Sequence, residues 1–140
     1  MANVIKGQPL VPGVASGKAI VSQHPLSFWG GYDQNSGEII DRRHPLSGQN
    51  AAGRILAIPF TRGSSTTTAV LLESIKAGVA PAAILTTRPD TFFALASIVA
   101  DEMYGTPLPI VVLPEDDFDQ LQSGQHVEVS KDGQIVVKTP

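Results

Sequence analysis

The sequence predicts an α/β fold with a partly parallel sheet, two main helices and a C-terminal hairpin. Three observations carry this. From Arg54 onward, short apolar runs alternate with longer stretches of helical spacing. Two such stretches lie between three apolar runs, which implies right-handed βαβ crossovers. The tail then splits into two alternating segments around Lys131-Asp132-Gly133, a hairpin turn.

Taken in order, Gly7 to Gly13 carries two prolines and reads as a turn-rich approach to a strand at Gly17-Lys18-Ala19-Ile20-Val21-Ser22. Residues 23–53 are dense in Gly, Pro, Asn, Asp and Ser, with a strand expected at Gly37-Glu38-Ile39-Ile40. A loop of this length inside a compact domain is usually functional. The alternating part follows: strand 54–59, helix 65–77 closed by Gly78, strand 82–86, helix 90–104 and strand 109–113. Pro89 holds Arg88 extended, and Asp90 is the expected N-cap of the second helix. Phe92, Leu95, Ile98, Val99 and Met103 follow helical spacing and are expected in the core. Glu115-Asp116-Asp117-Phe118-Asp119 is an acidic turn or short helix, read as a solvated face because its spacing is not that of a calcium loop. The hairpin spans 125–137.

The 140 residues suit one domain, 1–140, with a single core. The composition, 42% hydrophobic and 16% charged, suggests that a partner covers part of the surface. A net charge of −3 with scattered Lys and Arg leaves no basic stripe, which argues against nucleic acid. There is no cysteine, so the chain offers no thiolate to zinc or to an iron–sulfur cluster. The N-terminus lacks a signal-peptide pattern and no apolar run approaches the roughly 20 residues of a membrane span, so a cytoplasmic protein free of the membrane is expected.

The run Pro59-Phe60-Thr61-Arg62-Gly63-Ser64-Ser65-Thr66-Thr67-Thr68 joins an expected strand to an expected helix through a cation, a glycine and five consecutive hydroxyls. Two readings stand. Ser64 or Ser65 caps a plain helix, with Gly63 permitting the turn. Alternatively, unpaired amides, the helix dipole and Arg62 bind an anion, and one serine reacts. A serine base requires preorganised positive potential, which those groups supply. The run matches neither the Gly-x-Ser-x-Gly elbow nor a phosphate loop ending in Gly-Lys-Ser/Thr.

The long loop offers a second group. Ser27, Phe28, Trp29, Gly30 and Gly31 could wall a pocket or anchor an interface, or Phe28 and Trp29 could close the core. Asp41 beside Arg42 and Arg43 is either a local ion pair or a cationic reach toward an acidic ligand. His24 and His44 each precede proline, and two separated histidines are more often structural than metal ligands.

In combination, Pro-Leu-Ser-Phe-Trp-Gly-Gly (25–31), Gly-x-Ile-Ile-Asp-Arg-x-His-Pro-Leu (37–46), Arg-Gly-Ser-Ser-Thr (62–66) and the stretch 70–84 resemble the small subunit, or swivel domain, of aconitase X. The resemblance spans about residues 7 to 137. It implies a swivelling β/β/α domain that docks on a large subunit carrying an iron–sulfur cluster or iron, with no cofactor bound by this chain. It implies a hydro-lyase acting on a small hydroxy acid and active only with that large subunit. Ser64 is then the base, and Arg62, Gly63, Ser65 and Thr66 bind substrate. Aconitase itself has arginine where this chain has Thr66, so recognition of a tricarboxylic acid is not carried across. The form of the motifs is closer to enzymes that dehydrate cis-3-hydroxy-L-proline than to those that dehydrate mevalonate 5-phosphate. An anion-binding swivel module without chemistry, or a structural adaptor, are the alternatives.

Overall fold

The computed structural model describes residues 2–61 and 65–138, the side chains of Ala2 and Ser65 excepted. Eleven elements follow one another: β1 (Ala2–Lys6), β2 (Gln8–Val11), β3 (Ala15–Val21), β4 (Ile55–Ala57), α1 (Ser65–Lys76), β5 (Ala83–Thr86), α2 (Thr91–Tyr104), β6 (Ile110–Val112), α3 (Glu115–Phe118), β7 (His126–Val129) and β8 (Gln134–Lys138). The strand order is β1-β8-β7-β3-β4-β5-β6-β2. Strands β3, β4, β5 and β6 run parallel, as the βαβ alternation predicts, while β7 and β8 form the hairpin.

One strand, β3, serves both halves of this sheet. The first half of β3, Ala15–Lys18, pairs antiparallel with β7, and its second half, Ala19–Val21, pairs parallel with β4. β1 and β2 stand at opposite ends of the strand order although Gly7 alone separates them in the chain. The sheet therefore folds back on itself as two layers, joined where these strands cross over. Gly7 makes the crossing possible: a Cβ there would fall 2.3 Å from Val111 Cγ1, and its N–H donates to Gly133 O at 3.0 Å.

Side-chain parity then divides the apolar residues into two cores. Ile55 and Ala57, Ala83 and Leu85, and Val111 point between the layers, where they meet Val127, Val129, Ile135 and Val137 of the hairpin. Phe118 and Leu121 join that core from α3 and the turn after it. Leu56, Ile84 and Ile110 point to the other face, against Leu71 and Ile75 of α1, Phe93 and Ala96 of α2, and Leu26, Phe28 and Ile39 of the long loop. The layers are thus β, β and α. Among the described residues no helix is long and apolar enough to cross a membrane.

Three expectations need correction. Gly7–Gly13 is no mere approach: it contains β2, which tolerates Pro9 because β2 pairs on one side only, with β6, and its register shifts there. The strand expected at 37–40 reduces to isolated bridges, Tyr32 with Ile39 and Glu38 with Asn50. Most consequential, α2 buries Phe93, Ala96, Ser97 and Ala100, while Leu95, Ile98 and Met103 are exposed and Phe92 and Val99 half-buried. Both faces of this helix are apolar, so periodicity could not choose between them. Packing chooses the face of smaller residues, which lets the helix approach closely. Ser97 Oγ donates to Leu108 O at 2.8 Å and accepts from Leu108 N at 2.7 Å, so the buried hydroxyl is fully used.

Candidate active site

The parallel strands β4 and β5 end side by side, and each leads through a turn into a helix. Ligands of open α/β sheets bind outside such carboxyl ends. Pro59 O accepts from Thr87 N at 3.1 Å, Thr86 Oγ1 at 2.7 Å and Thr87 Oγ1 at 2.9 Å, which fixes the β4–α1 turn against the β5–α2 turn. Thr61 Oγ1 donates to Asp90 Oδ2. Asp90 Oδ1 accepts from Phe92 N at 2.9 Å and Phe93 N at 3.1 Å, confirming Asp90 as N-cap. Thr68 Oγ1 donates to Phe92 O at 3.2 Å, tying the first turns of α1 and α2 together. The long loop joins the frame through a parallel bridge between Leu26 and Thr61.

Arg62, Gly63 and Ser64 lie outside the described residues, between Thr61 and the start of α1 at Ser65. The frame just described brackets them on both sides. Thr66 is exposed on the first turn of α1. Thr67 Oγ1 is buried and has no hydrogen-bond partner among the described residues; the carbonyl four residues earlier belongs to Gly63. A cavity of about 240 Å³ opens beside this turn, lined by Phe60, Thr61, Arg88, Pro89, Asp90, Thr91 and Phe92. Sequence reading gave Arg88 no role. Its place between an expected strand and the expected helix cap at Asp90 was the available signal.

The long loop separates the residues grouped there by sequence. Phe28 is fully buried, stacked on Tyr32 with centroids 5.0 Å apart and edge-on to Phe93 at 5.4 Å. It is core, not the wall of a pocket or an interface anchor. Tyr32 OH donates to Val79 O at 2.7 Å, and burial pushes its ionisation well above the usual tyrosine range. Trp29 is 69% exposed, and Ser27 Oγ donates to its carbonyl. Gly30 has positive φ in open space, whereas a Cβ on Gly31 would lie 2.1 Å from Ser27 O. Neither glycine lines a described cavity.

A second cavity, about 600 Å³, is lined by His24, Pro25, Asp41, Arg43, His44 and Pro45. Arg42 is exposed outside it. Asp41 Oδ1 accepts the backbone N–H of Arg43 at 3.0 Å, and among the described residues neither arginine forms an ion pair with Asp41. His44 is buried; Nδ1 accepts from Leu46 N at 3.1 Å and Nε2 donates to His24 O at 3.3 Å, a pattern that assigns the ring proton to Nε2 and makes His44 a clamp of the loop.

The donors of this chain do not suit an iron–sulfur cluster. There is no cysteine, and among the described residues no three His, Asp or Glu side chains converge as metal ligands would.

A double β layer backed by two helices, with a hydroxyl-rich turn at the ends of its parallel strands, defines a swivel domain of the β/β/α type. The model of the aconitase X swivel domain matches residues 4–138, and the chain belongs to that family. It is 53% identical over 120 residues to a cis-3-hydroxy-L-proline dehydratase of Pseudomonas aeruginosa, covering 86% of this chain and 20% of that protein. The phosphomevalonate dehydratase small subunit of Thermococcus onnurineus is 39% identical, with 94% of this chain and 95% of that one covered. The solved aconitase X of Thermococcus kodakaraensis superposes with a TM-score of 0.86 at 33% identity, over 96% of this chain and 98% of that one. The chain spans about a fifth of the length of the hydroxyproline dehydratases it matches.

Proposed function

We propose that this chain is one swivel domain acting as the small subunit of a cytoplasmic hydro-lyase that dehydrates cis-3-hydroxy-L-proline. The observation that carries the reading is the 53% identity to a hydroxyproline dehydratase, against 39% to a phosphomevalonate dehydratase small subunit. Ser64 takes the proton from the carbon bearing the carboxylate. Arg62, the amides of the turn and the dipole of α1 lower the cost of a negative charge there. The hydroxyl leaves the neighbouring carbon as water. The iron–sulfur cluster or iron expected of such an enzyme belongs to the large subunit, since this chain lacks the ligands.

Leu95, Ile98 and Met103, exposed on α2, support the existence of a covering partner, and the large subunit is the occupant we assign to that face. A second reading, the small subunit of a phosphomevalonate dehydratase, is favoured by a relative matched over 95% of its length. Assaying the two-subunit complex with both substrates separates the readings. Turnover of hydroxyproline alone is expected, and Ser64→Ala is expected to abolish it while the subunits still co-elute. Full activity of that variant removes Ser64 from its role; turnover of phosphomevalonate alone selects the second reading.

A further inference from the structure

We infer that Arg88 receives the carboxylate of the substrate, an inference that rests on the dehydratase reading above. Arg88 stands on the β5–α2 turn, exposed at the mouth of the cavity beside the hydroxyl run. Its guanidinium carbon lies 4.0 Å from the centroid of the Phe60 ring. A guanidinium held on an aromatic face keeps its N–H donors directed outward, the arrangement that takes both oxygens of a carboxylate.

Nothing in the described structure claims those donors. Asp90, two residues on, has both oxygens engaged, one by Phe92 N and Phe93 N and the other by Thr61. Among the described residues the ion pairs are those of Glu128 with Lys138 and His126, on the hairpin. Arg88 is the single cation among the described residues lining its cavity.

The reaction creates a demand for such a cation. Removing the proton from the carbon attached to a carboxylate spreads negative charge onto both carboxylate oxygens, so a fixed bidentate donor stabilises the transition state more than the ground state. Phe60 precedes Ser64 by four residues, which span at most about 14 Å even when fully extended. The ring that orients Arg88 and the proposed base are thus on one short segment, and the carboxylate is bonded directly to the carbon that the base attacks.

The test uses the two-subunit complex carrying Arg88→Gln or Arg88→Lys. With hydroxyproline, R88Q is expected to lower kcat/KM by about 10- to 150-fold, the range of a charge-assisted hydrogen bond, with R88K recovering part of the loss. Calorimetric titration with L-proline and L-prolinamide reads the contact without turnover. The wild-type complex is expected to prefer proline, and R88Q to lose that preference. A kcat/KM of R88Q within twofold of wild type, or a preference for proline that persists in R88Q, overturns the inference. If the wild-type complex prefers proline, R88Q does not, and neither complex dehydrates hydroxyproline, the hydroxyproline reading fails and the carboxylate contact stands.

Discussion

Asp90 is the joint between helix α2 and the turn that carries the proposed base, and a thermodynamic cycle on it and Thr61 measures that joint. Asp90→Ala removes a helix cap worth about 1 kcal/mol. It also removes the acceptor for the Thr61 hydroxyl, a bond to a carboxylate worth about 1.5 kcal/mol at the lower, part-buried end of its range. The loss expected for the variant is therefore about 2 to 3 kcal/mol. Thr61→Val keeps the shape and loses the hydroxyl, costing about 1.5 kcal/mol. Because both substitutions delete the same bond, the double variant should recover about 1 to 1.5 kcal/mol relative to additivity. Asp90→Asn retains the cap and should stay within about 1 kcal/mol of wild type. Urea unfolding followed by circular dichroism gives all four values. Strict additivity of D90A and T61V, to within about 0.3 kcal/mol, would refute the coupling of the two turns.

The loop and the crossover give two further predictions. Phe28→Ala should cost about 3–5 kcal/mol because the ring is fully buried between Tyr32 and Phe93, whereas Trp29→Ala should change chain stability by no more than about 0.5 kcal/mol; equal effects in urea titration would contradict the assignment of one to core and the other to surface. Gly7→Ala should cost about 1–3 kcal/mol, since its Cβ overlaps methyl groups of the buried Val111 and Leu113 and comes within 3.0 Å of Gly133 O, with no positive-φ strain added. Gly133→Ala should cost about 2–5 kcal/mol, because it adds positive-φ strain to a Cβ only 2.6 Å from Gly7 O. A thermal scan ranking Gly7→Ala as the worse of the two would contradict the crossover geometry.

The core strands were legible because they are buried on both faces and read as unbroken apolar runs: Ile55–Ala57, Ala83–Thr86 and Ile110–Val112 fall within their expected ranges. Asp90 was legible as a cap because capping is local chemistry. β2 was obscured by its proline, which is harmless only because the strand pairs on one side, a fact of the finished sheet. The outward face of α2 was misread because a helix with two apolar faces does not encode which one meets the sheet.

The sequence by itself determined the alternation of strands and helices, the hydroxyl run at a strand-to-helix turn, and the lack of cysteine ligands, since each depends on residue type and near-neighbour spacing. The tertiary structure alone decided that β1 and β2, neighbours in the chain, close opposite ends of the strand order, and that Phe28 is core while Trp29 is surface. It also set Arg88 over the Phe60 ring, although 27 residues of chain lie between them. Parallel pairing is the physical reason: it brings the ends of distant strands together, and a contact made that way leaves no periodic trace in the sequence.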